Sequence, residues 1–166
     1  MITYETTLPR AALGLIAGSI AGALLVTLFE IVNAFDYYRQ YGTQTGAAMI
    51  VFTYALIVWT AGLFLVAPLP WFALHRRGIR GWRAAILFGI LLSFIGALGF
   101  FTNGFGLNPN GGAFSASDSG GPIWIDGHLT LHGWIEAAKA ALLCSIGGAL
   151  VALAVWRTAY RRAPSP

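Results

Sequence analysis

Residues 11–34 read AALGLIAGSIAGALLVTLFEIVNA and carry no charged side chain before Glu30. An α-helix rises about 1.5 Å per residue, so this stretch is long enough to cross a hydrocarbon core of about 30 Å. Its apolar part, about twenty residues, exceeds the roughly 7–15 residues of a signal-peptide core. The stretch is therefore predicted to be a membrane-spanning helix.

Three further stretches have the same apolar character: residues 47–66, 82–102 and 131–156. Lipid offers no partners to exposed backbone groups, so such segments must be helical. The alternating segments of about ten residues that mark barrel strands are absent from the sequence. The sequence thus predicts an all-α, integral membrane four-helix bundle that forms a single domain over residues 1–166.

The composition supports a membrane protein over a soluble one. Of the 166 residues, 57% are apolar and 10% are charged, and the mean hydropathy is +0.71. Soluble domains have about 25% charged residues. The single cysteine excludes a disulfide-stapled fold. Although the pI is about 9.6, the basic residues cluster at the ends of the apolar segments, which favours membrane topology over nucleic-acid binding.

The arginines predict the orientation of the chain. Eight of them flank the two termini and the connection 67–81: Arg10, Arg76, Arg77, Arg80, Arg83, Arg157, Arg161 and Arg162. The connections 35–46 and 103–130 hold only Arg39, since Lys139 lies within the fourth segment. Because cytoplasmic loops are enriched in arginine and lysine, both termini and the connection 67–81 are predicted to be cytoplasmic, in a bacterial inner membrane.

Two connections have distinctive compositions. The connection 67–81 contains Pro68 and Pro70, which are predicted to end the second helix. An aromatic and basic stretch follows them and is predicted to lie in the headgroup zone. The outer connection 103–130 is rich in glycine, serine and asparagine, so it is predicted to be mobile or to be ordered by a partner.

A stripe of glycines lies on the first segment at Gly14, Gly18 and Gly22. Small residues spaced four apart let another helix approach closely, and such packing drives helix association in lipid. The partner helix could belong to the same bundle. It could instead belong to another membrane protein or to a second copy of this chain, and the sequence leaves both alternatives open.

The fourth segment carries the most informative polar pattern, His128-x-x-x-His132-x-x-x-Glu136, with Lys139 one turn deeper. On a continuous helix these side chains share one face. Glu136 and Lys139 fall within the span, where a lone charge is costly. Because residues three apart are neighbours on a helix, the two can partly neutralise each other.

Further polar residues are predicted at a similar depth or just above it: Glu30, Asn33 and Asp126. Together with the stripe on the fourth segment they predict a polar chamber that opens outward between the first and fourth helices. An acidic outer side would attract cations.

Several kinds of chemistry fit this cluster. Copper, zinc or iron could bind at His128, His132, Glu136 and Glu30, because histidines four apart on one helix can reach the same ion. Haem is disfavoured, since both histidines share a helix and His75 lies at the other membrane face. Proton or cation transport is a further alternative, as is a polar network that fixes helix register or docks a partner.

No phosphate-binding glycine loop and no Gly-x-Ser-x-Gly motif occurs in the sequence, so no catalytic residue is predicted. We expect a structural or accessory subunit of a larger membrane assembly. The alternative is a metal-binding or cation-handling membrane protein that uses the outward-facing polar cluster.

Overall fold

The computed structural model describes residues 4–33, 44–107 and 115–162 of the chain. The protein is predominantly helical, at 75%. The helices are α1 (Leu8–Asn33), α2 (Gln44–Ala61), α3 (Pro68–Arg76), α4 (Trp82–Phe101) and α5 (Leu131–Ala159). Short strands accompany them: β1 (Tyr4–Glu5), β2 (Ala116–Asp118), β3 (Gly121–Ile125), β4 (His128–Leu129) and β5 (Arg161–Arg162).

Four helical stretches are long and apolar enough to cross a membrane, which confirms the prediction of four such helices. They are Leu8–Val32, Gly46–Arg76, Trp82–Phe101 and Leu131–Ala159, with mean hydropathies between 2.0 and 2.4. The short strands were not expected from the all-α class.

The second helical stretch continues through its prolines, so the prediction that Pro68 and Pro70 end it is wrong. A π-helical turn, Gly62–Val66, follows α2, and the Ala67 amide donates to the Gly62 carbonyl at 3.2 Å. The hydrogen-bond ladder then restarts with Pro68 as the first residue of α3. Amides in the first turn of a helix have no acceptor within that helix, so a proline there removes no hydrogen bond of the helix.

The chain divides into two compact units. The first comprises residues 1–87 and 149–166, and the second comprises residues 88–148. In the first unit, β1 pairs antiparallel with β5, which joins the two ends of the described chain. Tyr4 lies opposite Arg162, and Glu5 lies opposite Arg161.

The glycine stripe of α1 packs within the first unit. A β-carbon at Gly14 would lie 2.9 Å from the Val155 carbonyl oxygen, and one at Gly22 would lie 2.6 Å from Cγ of Trp59. At Gly18 an added β-carbon would overlap the Val155 side chain. These glycines therefore allow close packing inside the chain. A contact through them with another membrane protein or a second copy stays a prediction.

The second unit contains a three-stranded antiparallel sheet in the order β2-β3-β4. Asp126 and Gly127 join β3 to β4, and both have positive φ, at 48° and 77°. That conformation matches the two-residue hairpin turn whose twist suits antiparallel strands. Residues 116–129 are thus ordered by their own hydrogen bonds, and the expectation of a mobile connection is wrong for this part. Residues 108–114 of the connection lie outside the described residues.

Candidate functional site

Two sites emerge from the geometry, one in each unit. The first, which we call the Asp118–His132 corner, is formed where the three-stranded sheet meets the start of α5. It comprises Asp118, Gly120, Gly121, Thr130 and His132. This corner includes one of the residues that the sequence analysis placed in the polar cluster.

Thr130 fixes the start of α5. Its hydroxyl oxygen accepts a hydrogen bond from the Gly133 amide at 3.1 Å, the geometry of an N-cap. The same oxygen lies 2.5 Å from the Pro122 carbonyl oxygen and 3.1 Å from that of Ile123. One side chain thus caps the helix and ties it to β3.

His128 is not on this helix, contrary to the prediction. It lies in β4 and pairs with Ile125 of β3. The Asp126–Gly127 turn and the Thr130 cap delay the helix until Leu131. His128 and His132 therefore do not have the one-turn relation that the metal hypothesis assumes.

His132, the second residue of α5, contacts Asp118 instead. Its Nε2 lies 2.8 Å from Oδ1 of Asp118, and the two side chains are 27% and 39% exposed. Oδ1 also accepts from the amides of Gly120 at 2.8 Å and Gly121 at 3.1 Å. The hydrogen bond with His132, followed by that from Gly120, lowers the pKa of Asp118 from its ordinary value.

The close approach explains one glycine at the turn. A β-carbon at Gly120 would lie 2.7 Å from Cε1 of His132. The corner therefore holds the imidazole of His132 against the carboxylate of Asp118. Their hydrogen bond fixes the orientation of the imidazole ring.

Glu136 and Lys139 form an ion pair one turn deeper on α5. Lys139 Nζ donates to Oε1 of Glu136 at 2.6 Å, as the spacing of three residues predicts. The Lys139 side chain is 63% exposed and that of Glu136 is 35% exposed. This is a charged pair on the surface of a stretch that is apolar enough to span a membrane.

The remaining members of the predicted cluster belong to other elements of the chain. Glu30 is half-buried on α1, in the first unit. Asn33 ends α1, and its side chain lies outside the described part of the chain. Asp126 is exposed at the hairpin turn, where its amide donates to Oγ of Ser115 at 3.2 Å.

Across residues 4–33, 44–107 and 115–162, no three His, Cys, Asp or Glu side chains are grouped so that they could hold a metal ion. The metal site at His128, His132, Glu136 and Glu30 stays a prediction.

The second site lies in the first unit and was missed by the sequence analysis. We call it the basic cavity. Its volume is about 160 Å³, and seven residues line it: Glu5, Thr6, Thr7, Arg10, His75, Arg80 and Arg161. From the sequence alone, these arginines are explained only as determinants of topology.

Aromatic side chains build the wall beside this cavity. The Tyr160 hydroxyl accepts a hydrogen bond from Nε1 of Trp71 at 2.7 Å and lies 3.2 Å from Nδ1 of His75. Burial of Tyr160 raises its pKa, although the Trp71 hydrogen bond and the charge of Arg80 act in the opposite direction. The ring of Tyr4 packs edge-on against Trp156, with centroids 5.1 Å apart.

A sequence signal for this site does exist. Tryptophans and arginines are dense in residues 71–83 and 156–162, but only the pairing of β1 with β5 brings Glu5 and Arg161 together.

Comparisons with protein-family models, curated proteins and solved structures found no match. Function has to be inferred from the chain's own geometry.

Proposed function

We propose that this chain is a multi-pass protein of a bacterial inner membrane, with both termini in the cytoplasm, and that it serves as a structural or accessory subunit of a larger membrane assembly. The four apolar helical stretches support insertion. The antiparallel pairing of β1 with β5 supports placing both termini on one side. The arginines near these strands favour the cytoplasmic side.

The observation that carries the partner proposal is the exposed ion pair of Glu136 and Lys139. A charged side chain within a span costs about 2.5–3.5 kcal/mol on insertion scales. Pairing of the two charges offsets part of that cost, but their exposed surface would still face lipid in an isolated chain. A polar group on a neighbouring subunit would cover it and supply hydrogen bonds.

Beyond Lys139 this face of α5 continues with apolar residues. Leu142 and Leu143 lie one turn beyond Lys139 and are exposed, whereas the opposite face is buried at Ala137 and Ala141. An apolar surface with one charged pair near its end suits a subunit contact. Packing of a partner helix on the apolar side chains would stabilise the contact, and the charged pair would restrict how the two helices align.

The buried hydroxyl groups are hydrogen-bonded to the backbone. Among the described residues the buried polar side chains are Ser19, Thr27, Thr102 and Ser145. Each donates to the carbonyl oxygen four residues earlier in the chain, at 2.6–3.0 Å. The protons of these hydroxyls are satisfied by the local backbone, which fits a structural role.

Site-specific photo-crosslinking in cells tests the proposal. A photoreactive side chain at Leu143, beside the ion pair, should give a discrete adduct with another protein. The matched control is Ile57 on α2, which is about equally exposed and has no ion pair beside it among the residues that the structure describes. Stable, inserted protein that gives no protein adduct from Leu143 would contradict the proposal.

The alternative of a metal-binding or cation-handling protein makes a separate prediction. Purified protein would carry stoichiometric copper, zinc or iron, and His132→Ala would lose it. Elemental analysis of both proteins decides this, and the absence of metal from both samples would count against the alternative.

A further inference from the structure

The basic cavity has a charge that its own residues do not balance. Three arginines and one glutamate line it, which leaves a formal charge of +2. The ion pairs found among the described residues are Asp118–His132 and Glu136–Lys139, and neither lies in this cavity. Glu5 therefore makes no ion pair with Arg10, Arg80 or Arg161 in the described part of the chain.

Arg80 is held in place at the centre of this arrangement. Its carbonyl oxygen accepts a hydrogen bond from Nε1 of Trp156 at 2.9 Å, and its Nη1 donates to the Tyr4 carbonyl oxygen at 3.3 Å. These two contacts fix both the backbone and one end of the guanidinium group. The side chain is thus positioned before any ligand arrives.

One donor of Arg80 is left over. Its Nε is buried from solvent and has no hydrogen-bond partner among the residues the structure describes. Because Nε is closed to solvent, a ligand in the cavity would meet the outer N–H groups of the guanidinium, at Nη1 and Nη2, instead. For a guanidinium nitrogen the matching partner is an anionic oxygen.

We propose that the basic cavity binds a phosphate group, with Arg80 as its principal ligand and Arg10 and Arg161 as flanking cations. A guanidinium group matches the oxygens of a phosphate with two parallel hydrogen bonds. The cavity volume of about 160 Å³ is well above the roughly 10–15 Å³ on the same measure that a single water needs. That volume suits a single phosphate group and its remaining water.

The phosphate could come from an anionic phospholipid headgroup or from a small phosphate ester in solution. The cavity lies beside the first turns of α1 and the last residues of α3, at the ends of stretches that could span a membrane. Headgroups are found at this depth. The recognition chemistry is the same for both sources, and the experiment below separates them.

The test compares the full-length protein with Arg80→Gln and with Arg83→Gln. Arg83 does not line the cavity, and its guanidinium lies over the Trp82 ring at 5.4 Å, so Arg83→Gln is the matched control for loss of one positive charge. In one arm, detergent-solubilised protein is titrated with inorganic phosphate at constant ionic strength. In the other, protein in nanodiscs of phosphatidylcholine is titrated with phosphatidylglycerol.

Loss of the Arg80 contact should weaken binding about ten- to a hundredfold, while Arg83→Gln should stay close to wild type. Arg80-dependent binding of inorganic phosphate identifies a soluble ligand, and Arg80-dependent binding of phosphatidylglycerol alone identifies a headgroup. Either result supports the cavity as a phosphate site.

Binding in neither arm would overturn the proposal. Equal losses for Arg80→Gln and Arg83→Gln would also overturn it, because equal losses indicate general charge attraction.

If Arg80→Gln fails to fold, Arg161→Gln replaces it. Arg161 is exposed on β5, and its replacement should still weaken binding severalfold. Unchanged binding by a folded Arg161→Gln would then overturn the proposal. The partner proposed for α5 concerns a different surface and is not affected by either result.

Discussion

Tyr160 accepts a hydrogen bond from Trp71, with 2.7 Å between the hydroxyl oxygen and the indole nitrogen, although 89 residues separate them in sequence. This contact joins the end of α5 to α3 beside the basic cavity. It is one of the few polar contacts between distant parts of the described chain, so it offers a direct measure of how firmly the first unit is held together.

Replacing Tyr160 by phenylalanine should destabilise the first unit. The change leaves the part-buried Trp71 indole N–H without its acceptor, which costs about 1–3 kcal/mol. Thermal unfolding in detergent measures the effect. Tyr54→Phe is the control, because Tyr54 is exposed and should change stability by less than about 0.5 kcal/mol. Equal stability of the two variants would show that the Tyr160 contact contributes little.

Replacing Gly22 by alanine should also be destabilising. The new methyl group would lie 2.6 Å from atoms of the Trp59 ring, and overpacking of this kind costs about 1–3 kcal/mol. Gly96→Ala is the matched control, since nothing lies within 4 Å of an added β-carbon there. That helical position should gain about 0.5–1 kcal/mol. If Gly22→Ala unfolds at the temperature of the wild type, the close packing of α1 is not as described.

The Asp118–His132 corner should open in acid. The pKa of Asp118 is lowered, so the folded corner favours the carboxylate, and the stability that it contributes is present above the ordinary value of 3.8. That stability is lost as the pH falls below 3.8 and through the lowered value. NMR of the Gly120 amide should show the hydrogen bond intact at mild acidity and lost in stronger acid. In Asp118→Asn this transition should be absent, and a transition that persists would belong to another group.

Single cysteines should label from opposite sides of the membrane. In a Cys144→Ser background, Ser117→Cys in β2 should react with a membrane-impermeant maleimide on intact spheroplasts. Thr6→Cys, beside β1, should react only after permeabilisation, because the arginines near it favour the cytoplasm. Labelling of both positions from the same side would contradict the proposed topology.

The sequence alone was enough to predict the four apolar helices, because span length and hydropathy are local properties. It misled at Pro68, where a π-helical turn restarts the ladder, and at His128, where an Asp-Gly turn holds the chain in a strand. Both deviations depend on the backbone conformation of one or a few residues, and hydropathy averaged over a long window does not detect such local features. Asp126–Gly127 is a turn signal in the sequence, but the spacing of His128 and His132 predicts a continuous helix.

The basic cavity could not be predicted in the same way. It requires Glu5, Arg80 and Arg161 to meet, and their sequence separations give no local period to detect. The same arginines also fit the enrichment of basic residues on the cytoplasmic side of a membrane. Their presence in the sequence therefore does not by itself indicate a binding site.

The most direct test of the central claim, that this chain belongs to a larger membrane assembly, is its mass after mild detergent extraction. Native mass spectrometry should find the 17.7 kDa chain in a complex with a defined second protein or with further copies of itself. Lys139→Leu should weaken that complex, because the carboxylate of Glu136 would lose its counter-charge at the contact. A species of 17.7 kDa carrying only lipid and detergent, in both the wild type and the variant, would contradict the account.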